Sequence, residues 1–342
     1  MHRPSIGRPC ERCSQNWSHK VWWDRSDPVS LGMPNVSSGG LPGCAILTRQ
    51  LGGDPAGTAA LMTSWLLVEQ PGPWPADALE QTLAAVFEPG RLAGPRAAGL
   101  RTLLIRRPGK HRRAADAPRT VYLASGVPGN RWLERLEVAD LAELASLDLG
   151  ALAAGIPGHG ERVDGPLFLV CTHGTKDMCC AVLGRPLAGV LGENHPGRAW
   201  EVSHVGGDRW AGNLLVVPDG FLHGQLDPGE AALVAKAALS GQVQPDQLRG
   251  RTSAPSAWTQ YAEIAVRKHL GLRGLDAALG VAERPIESDD GEARVVTVQG
   301  MDHLYEVTVH RGAASAAGDS RCSGRIAPPA YTAGTIKTLA TA

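Results

Sequence analysis

The sequence predicts an α/β protein of two similar halves, followed by a small C-terminal extension of one helix and one hairpin. Three observations carry that prediction. Short apolar runs bounded by Gly and Pro read as buried strands. Amphipathic runs that begin near Pro or Asp read as helices. The order strand, helix, strand, hairpin, helix then occurs twice, offset by about one hundred residues, as in a degenerate internal duplication. That order is the one found in thioredoxin-like domains. A chain of 342 residues is long enough for both halves and a sizeable core.

Residues 1–43 show neither period, are rich in Ser, Pro, Gly and Arg, and read as a disordered leader. Cys10 and Cys13 look like half of a zinc knuckle without a second half nearby. The first half spans 44–150. Its strands are predicted at 64–69, 100–105, 120–124 and 131–138, the last alternating like an exposed strand. A helix is predicted at 75–87, with Pro near its start, and another at 140–147, capped by Asp140.

The second half spans 151–250. Strands are predicted at 167–170 and 199–203, a helix at 181–191, and a hairpin from 213–218 to 221–226 across Asp219-Gly220. A closing helix covers 228–238. In the extension, 251–342, a helix at 256–271 ends on Gly271, and 294–299 pairs with 304–310 as a hairpin. The tail beyond about 312 reads as disordered, and Cys322 within it as a bystander thiol.

Bulk properties narrow the function. Basic and acidic side chains balance, 34 against 34, which argues against a nucleic-acid binder driven by phosphate neutralisation. Arg107, Lys110, His111, Arg112 and Arg113 form one local basic patch, read as a solvated loop, with docking of an acidic redox partner as the lesser reading. No run reaches the roughly 18 apolar residues of a membrane span, and no apolar secretory segment opens the chain. We therefore expect a cytoplasmic protein without a membrane partner, whose cysteines are ligands or redox groups and not disulfides.

The chemistry concentrates in two loops. Each follows an apolar strand. The first, Cys-Thr-His-Gly-Thr-Lys-Asp-Met-Cys-Cys, holds Cys171, Cys179 and Cys180; the second, Ser-His-Val-Gly-Gly-Asp-Arg-Trp-Ala-Gly-Asn, holds His204 and Asp208. Structural cysteines would explain one thiol but explain poorly three within ten residues of polar loop. A thiol–disulfide oxidoreductase would want Cys-x-x-Cys at a helix start, and Cys171 has no partner at +3. A Cys171–His204 hydrolase lacks an oxyanion signature. Two thiolates with two further ligands spaced x3 suit zinc or an iron–sulfur cluster, and spacing alone does not separate the metals. His159, His173 and His223 read first as surface or core histidines.

These two motifs, with Gly-Thr-Ala and Trp-Leu-Leu-Val-Glu-Gln-Pro-Gly-Pro-Trp at 57–74, resemble the sucrase/ferredoxin-like family, thioredoxin-like ferredoxins, over roughly residues 44–240. The resemblance implies a 2Fe–2S cluster held by Cys-x8-Cys and His-x3-His. Cys171 and Cys180 match the first pair and His204 the first histidine, but Asp208 stands where the second histidine belongs. Cys179, His173 or an open position are the other candidates for the fourth ligand. Imidazole or carboxylate in place of thiolate implies a potential above that of all-Cys ferredoxins, dependent on pH through His204. Gly206 and Gly207 are expected to turn tightly and offer amides to the cluster, and Asn213 to pin the loop. The implied role is one-electron transfer with a redox protein partner. No catalytic residue is assigned, and no carboxylate pair in the sequence suggests sugar hydrolysis.

Overall fold

Ten strands lie in one mixed sheet, and both halves of the chain contribute to it. The computed structural model describes residues 42–109, 117–288, 291–312, 317–320, 322, 324–326 and 330–339. The predicted leader up to residue 41, with Cys10 and Cys13, lies outside the described residues, as do Lys110, His111, Arg112 and Arg113.

The first unit opens with helix α1 (Cys44–Gln50) and strand β1 (Ser64–Glu69), then helices α2 (Ala78–Ala84) and α3 (Ala93–Ala97). Strands β2 (Leu100–Arg106), β3 (Arg119–Val127) and β4 (Asn130–Val138) and helix α4 (Leu149–Ala153) complete it. Predicted helix 140–147 is a 3₁₀ turn, Leu141–Ser146, and Asp140 does cap it through the Ala142 amide. The second unit comprises β5 (Glu161–Arg162), β6 (Leu167–Cys171), α5 (Met178–Asn194) and β7 (Ala199–Val202). It continues through β8 (Leu214–Val217), β9 (Phe221–His223), α6 (Pro228–Leu239) and β10 (Leu248–Arg251).

The connectivity repeats. β1 runs parallel to β2 and antiparallel to β3, which pairs with β4. Likewise β6 runs parallel to β7 and antiparallel to β8, which pairs with β9. The units join where β2 meets β7 antiparallel, Ile105 opposite Val202. Strand order is therefore β10-β9-β8-β6-β7-β2-β1-β3-β4-β5.

Strand alternation splits the apolar residues between two faces. Leu167, Leu169 and Cys171 join Trp65, Leu67, Ile105, Trp200 and Val202 in one core. Phe168 and Val170 point the other way and pack with Leu187 and Leu191 of α5 and Val234 of α6. The sheet curls over the first core: the β8–β9 turn comes so close to β3 that a Cβ on Gly126 would lie 2.8 Å from the Pro218 carbonyl. The cysteine of β6 thus faces an enclosed interior.

The C-terminal part departs from prediction. Helix α7 (Ala257–Leu270) ends on Gly271 at φ 68°, as expected. It packs on a four-stranded sheet, β11 (Leu279–Ile286), β12 (Glu292–Gln299), β13 (Leu304–Gly312) and a last strand, ordered in that sequence. Between β13 and that last strand lies a two-stranded pair, β14 (Gly318–Ser320) and β15 (Gly324–Ile326). The last strand, β16 (Ala330–Leu339), pairs antiparallel with β13 from Leu304↔Leu339 to Gly312↔Ala330. The expectation of a disordered tail beyond 312 is thus corrected for these residues. Edge strands such as β16, exposed on most positions, carry no hydrophobic alternation by which to be read. Among the described residues no helix is long and apolar enough to cross a membrane.

Candidate metal centre

Cys171 ends β6 on the interior face, and the loop after it runs into α5. Asp177 caps that helix, its Oδ1 accepting the Cys179 amide at 2.7 Å. Cys179 and Cys180 therefore occupy the first turn, where backbone amides and the helix dipole favour thiolates. Consecutive residues on a helix point about 100° apart, so the two sulfurs face different surroundings.

Cys180 turns toward Cys171 and His204. The ligand atoms of Cys171, Cys180 and His204 all lie within 4.8 Å of one another, with Cys180 Sγ 3.8 Å from His204 Nδ1. Both cysteines are buried, 1% and 0% exposed, and His204 is half-buried at the rim. The neighbouring Cys180 thiol, with His204 and the Val205 amide, holds the Cys171 thiol well below its ordinary range, against the cost of burial. The Cys171 thiolate and burial push Cys180 up. Burial pulls His204 down, but the Cys171 thiolate and the carboxylates of Asp208 and Asp177 outweigh it and raise the imidazole.

The loop from 204 to 213 is pinned from behind. Gly206 and Gly207 adopt φ 89° and 75°, where side chains are strained. At Gly207 a Cβ would sit 2.3 Å from Arg249 Nη2, so glycine is also a steric requirement. Asn213, fully buried, donates to the Gly207 carbonyl at 2.9 Å, as the sequence suggested.

Arg249, at the edge strand β10, was not singled out in the sequence. Its buried guanidinium donates to Gly206 O at 2.8 Å, Asn213 Oδ1 at 2.9 Å, and both oxygens of Thr58. All these partners are neutral. Burial lowers its pKa to about 10, against the attraction of Cys171, Cys180 and Asp208. At neutral pH a full positive charge therefore backs the sulfurs.

The first unit buttresses the cysteine loop. Its Gln-Pro-Gly-Pro-Trp segment holds the place that the cysteines hold in the second unit. Pro75 O accepts from His173 Nε2 at 2.9 Å, and Trp74 O accepts from Thr175 Oγ1 at 2.6 Å. Trp74 meets the His173 ring edge-on, centroids 5.8 Å apart. His173 Nδ1 accepts the His204 amide at 3.4 Å, so both ring nitrogens are engaged inside the fold. Below it, Thr172 Oγ1 and Arg106 both bond Glu201. Of the remaining basic patch, the Arg107 guanidinium lies 3.7 Å from the Trp200 ring centroid.

The other two ligand candidates lie nearby but with other neighbours. Asp208 Oδ2 accepts from Cys44 Sγ at 3.4 Å. Cys179 faces Cys44 and Cys322, at 3.6 and 3.8 Å between sulfurs. Cys322, expected as a bystander, is thus packed against two other thiols. Cys44, Asp177 and Cys322 went unrecognised because more than 130 residues separate the three segments. Among the described cysteines none forms a disulfide.

The comparisons with known proteins agree with the motif reading. The model of the family described as sucrase/ferredoxin-like matches residues 55–250, more than half of the chain, including the loops of Cys171–Cys180 and His204–Asn213. No curated protein and no solved structure matched the chain. Ligand loops, their separation and the span of the match coincide, and the chain belongs to the sucrase/ferredoxin-like family.

Proposed function

We propose that this protein is a one-electron carrier with a single 2Fe–2S cluster held by Cys171, Cys180, His204 and Asp208, within two thioredoxin-like units that arose by duplication. One observation carries the reading: two sulfurs and an imidazole nitrogen converge within 4.8 Å at the ends of β6, α5 and β7. The donor set suits iron and sulfide, since thiolate and imidazole are the ligands of such centres. Arg249 supplies buried positive charge against an anionic group. The repeated strand connectivity supports the duplication.

When bound, the cluster supplies one-electron chemistry. Cys171 and Cys180 hold its buried side, and the half-exposed rim of His204, Gly206, Gly207, Asp208 and Arg209 faces a redox protein partner. Asp208 is the fourth ligand in this reading: it stands where the family's second histidine belongs, and to bind there its carboxylate must release the Cys44 thiol, from which its Oδ2 accepts at 3.4 Å. Zinc in the same place is the alternative that shares the donor set. Thiol–disulfide exchange is disfavoured by burial, since an incoming disulfide must reach a sulfur and both are at most 1% exposed.

Anaerobic purification with the visible spectrum and EPR of the reduced protein tests the reading. A brown protein with a reduced 2Fe–2S signal, two irons and two sulfides per chain, is expected. A colourless protein with zinc bound by Cys171 and Cys180, or with no metal and titratable thiols, would overturn it.

A further inference from the structure

The family motif does not account for three thiols and a carboxylate that gather beside the first site. Cys44 comes from α1, Asp177 and Cys179 from the start of α5, and Cys322 from the turn between β14 and β15. Their four ligand atoms lie within 4.8 Å of one another. The sulfur of Cys44 is 3.6 Å from that of Cys179, which is 3.8 Å from that of Cys322. A tetrahedral zinc ion with Zn–S bonds of about 2.3 Å sets its sulfurs about 3.8 Å apart, so this spacing needs little adjustment. Asp177 is poised as the fourth donor. Its Oδ1 is committed to the Cys179 amide, and its Oδ2 faces Cys44 Sγ at 3.9 Å.

We propose that Cys44, Cys179, Cys322 and Asp177 form a second, mononuclear site for a divalent thiophilic ion, with zinc as its occupant, separate from the Cys171–Cys180–His204 site. Three sulfurs and one oxygen close the tetrahedron and leave no open position, so the site is structural. Its surroundings fit that role. Cys44 and Cys179 are buried, and Leu47, Ala45 and Ala211 pack around them. Binding a dication there would release the thiol protons.

The site would act as a staple. It ties the helix that precedes β1 and the turn that follows β13 to the helix start that carries Cys180. Packing already follows that path, since Gly318 of β14 lies against Leu47 of α1. Any motion of α1 or of the 318–326 segment would then reach the first site through the Cys179–Cys180 peptide.

The proposal stands apart from the reading of the first site, and metal analysis separates the two. The full-length protein, purified from zinc-supplied cells, should carry one zinc per chain whatever its iron content. X-ray absorption at the zinc edge should report three sulfurs and one oxygen. Cys322→Ser, at a half-buried turn, should lower zinc at least about tenfold and leave iron and the visible spectrum in place. Cys44→Ser should lower zinc likewise, and cobalt(II) added to the zinc-free protein should give thiolate charge-transfer bands that Cys322→Ser abolishes. A zinc-free protein that also ignores cobalt overturns the proposal. So does a disulfide between two of these three cysteines in the purified protein, or zinc that Cys171→Ser removes and Cys322→Ser spares.

Discussion

Gly184 sets the distance between the helix that carries Cys180 and the strand that ends in Cys171. It lies one turn beyond Cys180 on α5, and a Cβ added there would stand 2.1 Å from the Cys171 carbonyl oxygen and 3.3 Å from Thr172 Cγ2. Ordinary contact begins at 3.4 Å. Gly184→Ala must therefore separate α5 from the end of β6 by about 1.3 Å, the difference between the two distances. Overpacking of this kind costs about 1–3 kcal/mol, and the better helix propensity of alanine returns about 1 kcal/mol. The variant should fold, with a modest loss of stability. Metal ligation is far less tolerant, since donor distances hold to about 0.2 Å. Iron and acid-labile sulfide per chain should fall several-fold in protein purified without oxygen, while the thermal midpoint moves by only a few degrees. Gly189→Ala is the control on the same helix: nothing lies within 4 Å of its added Cβ. It should gain about 0.5–1 kcal/mol and keep full occupancy. Full loading of Gly184→Ala with an unchanged EPR spectrum would refute the argument that α5–β6 contact fixes the ligand geometry.

Three further outcomes are expected. Arg249→Gln removes the buried charge behind the sulfurs and disfavours the more negative reduced state, so the midpoint potential should drop by on the order of 60 mV, about 1.4 kcal/mol for one electron, with Arg249→Lys intermediate in a redox titration. Asp208→His should keep the chromophore and change the EPR g-values if position 208 is a ligand; an unchanged spectrum would remove Asp208 from the set. His223, held by burial at a pKa of about 4 against an ordinary 6.5, stays neutral in the fold while the unfolded chain takes up a proton first. Stability is then full above pH 6.5 and falls as the pH drops toward 4, by up to about 3 kcal/mol, a slope that His223→Gln should flatten in denaturant titrations.

Most of the sheet could be read directly. Val68, Leu103, Leu169 and Val216 sit in short apolar runs, and the Asp219-Gly220 turn marks its hairpin, because local period and turn chemistry act over a few residues. The strands that escaped were the short β5, β14 and β15, then β10, whose Leu-Arg-Gly-Arg carries two buried arginines, and β11 and β16, whose exposed edges demand no apolar alternation. Cys171, Cys180 and His204 were likewise legible, since their loops follow readable strands at a spacing that suits soft ligands. That these three converge was decided by β6 and β7 pairing in parallel, Cys171 beside Val202. Only tertiary packing could turn Cys179 away from its neighbour, bring Cys44 and Cys322 to it across more than 130 residues, and bury Arg249 behind the sulfurs. Local sequence specifies dihedrals and faces; it holds no record of which distant side chains the curled sheet will enclose together.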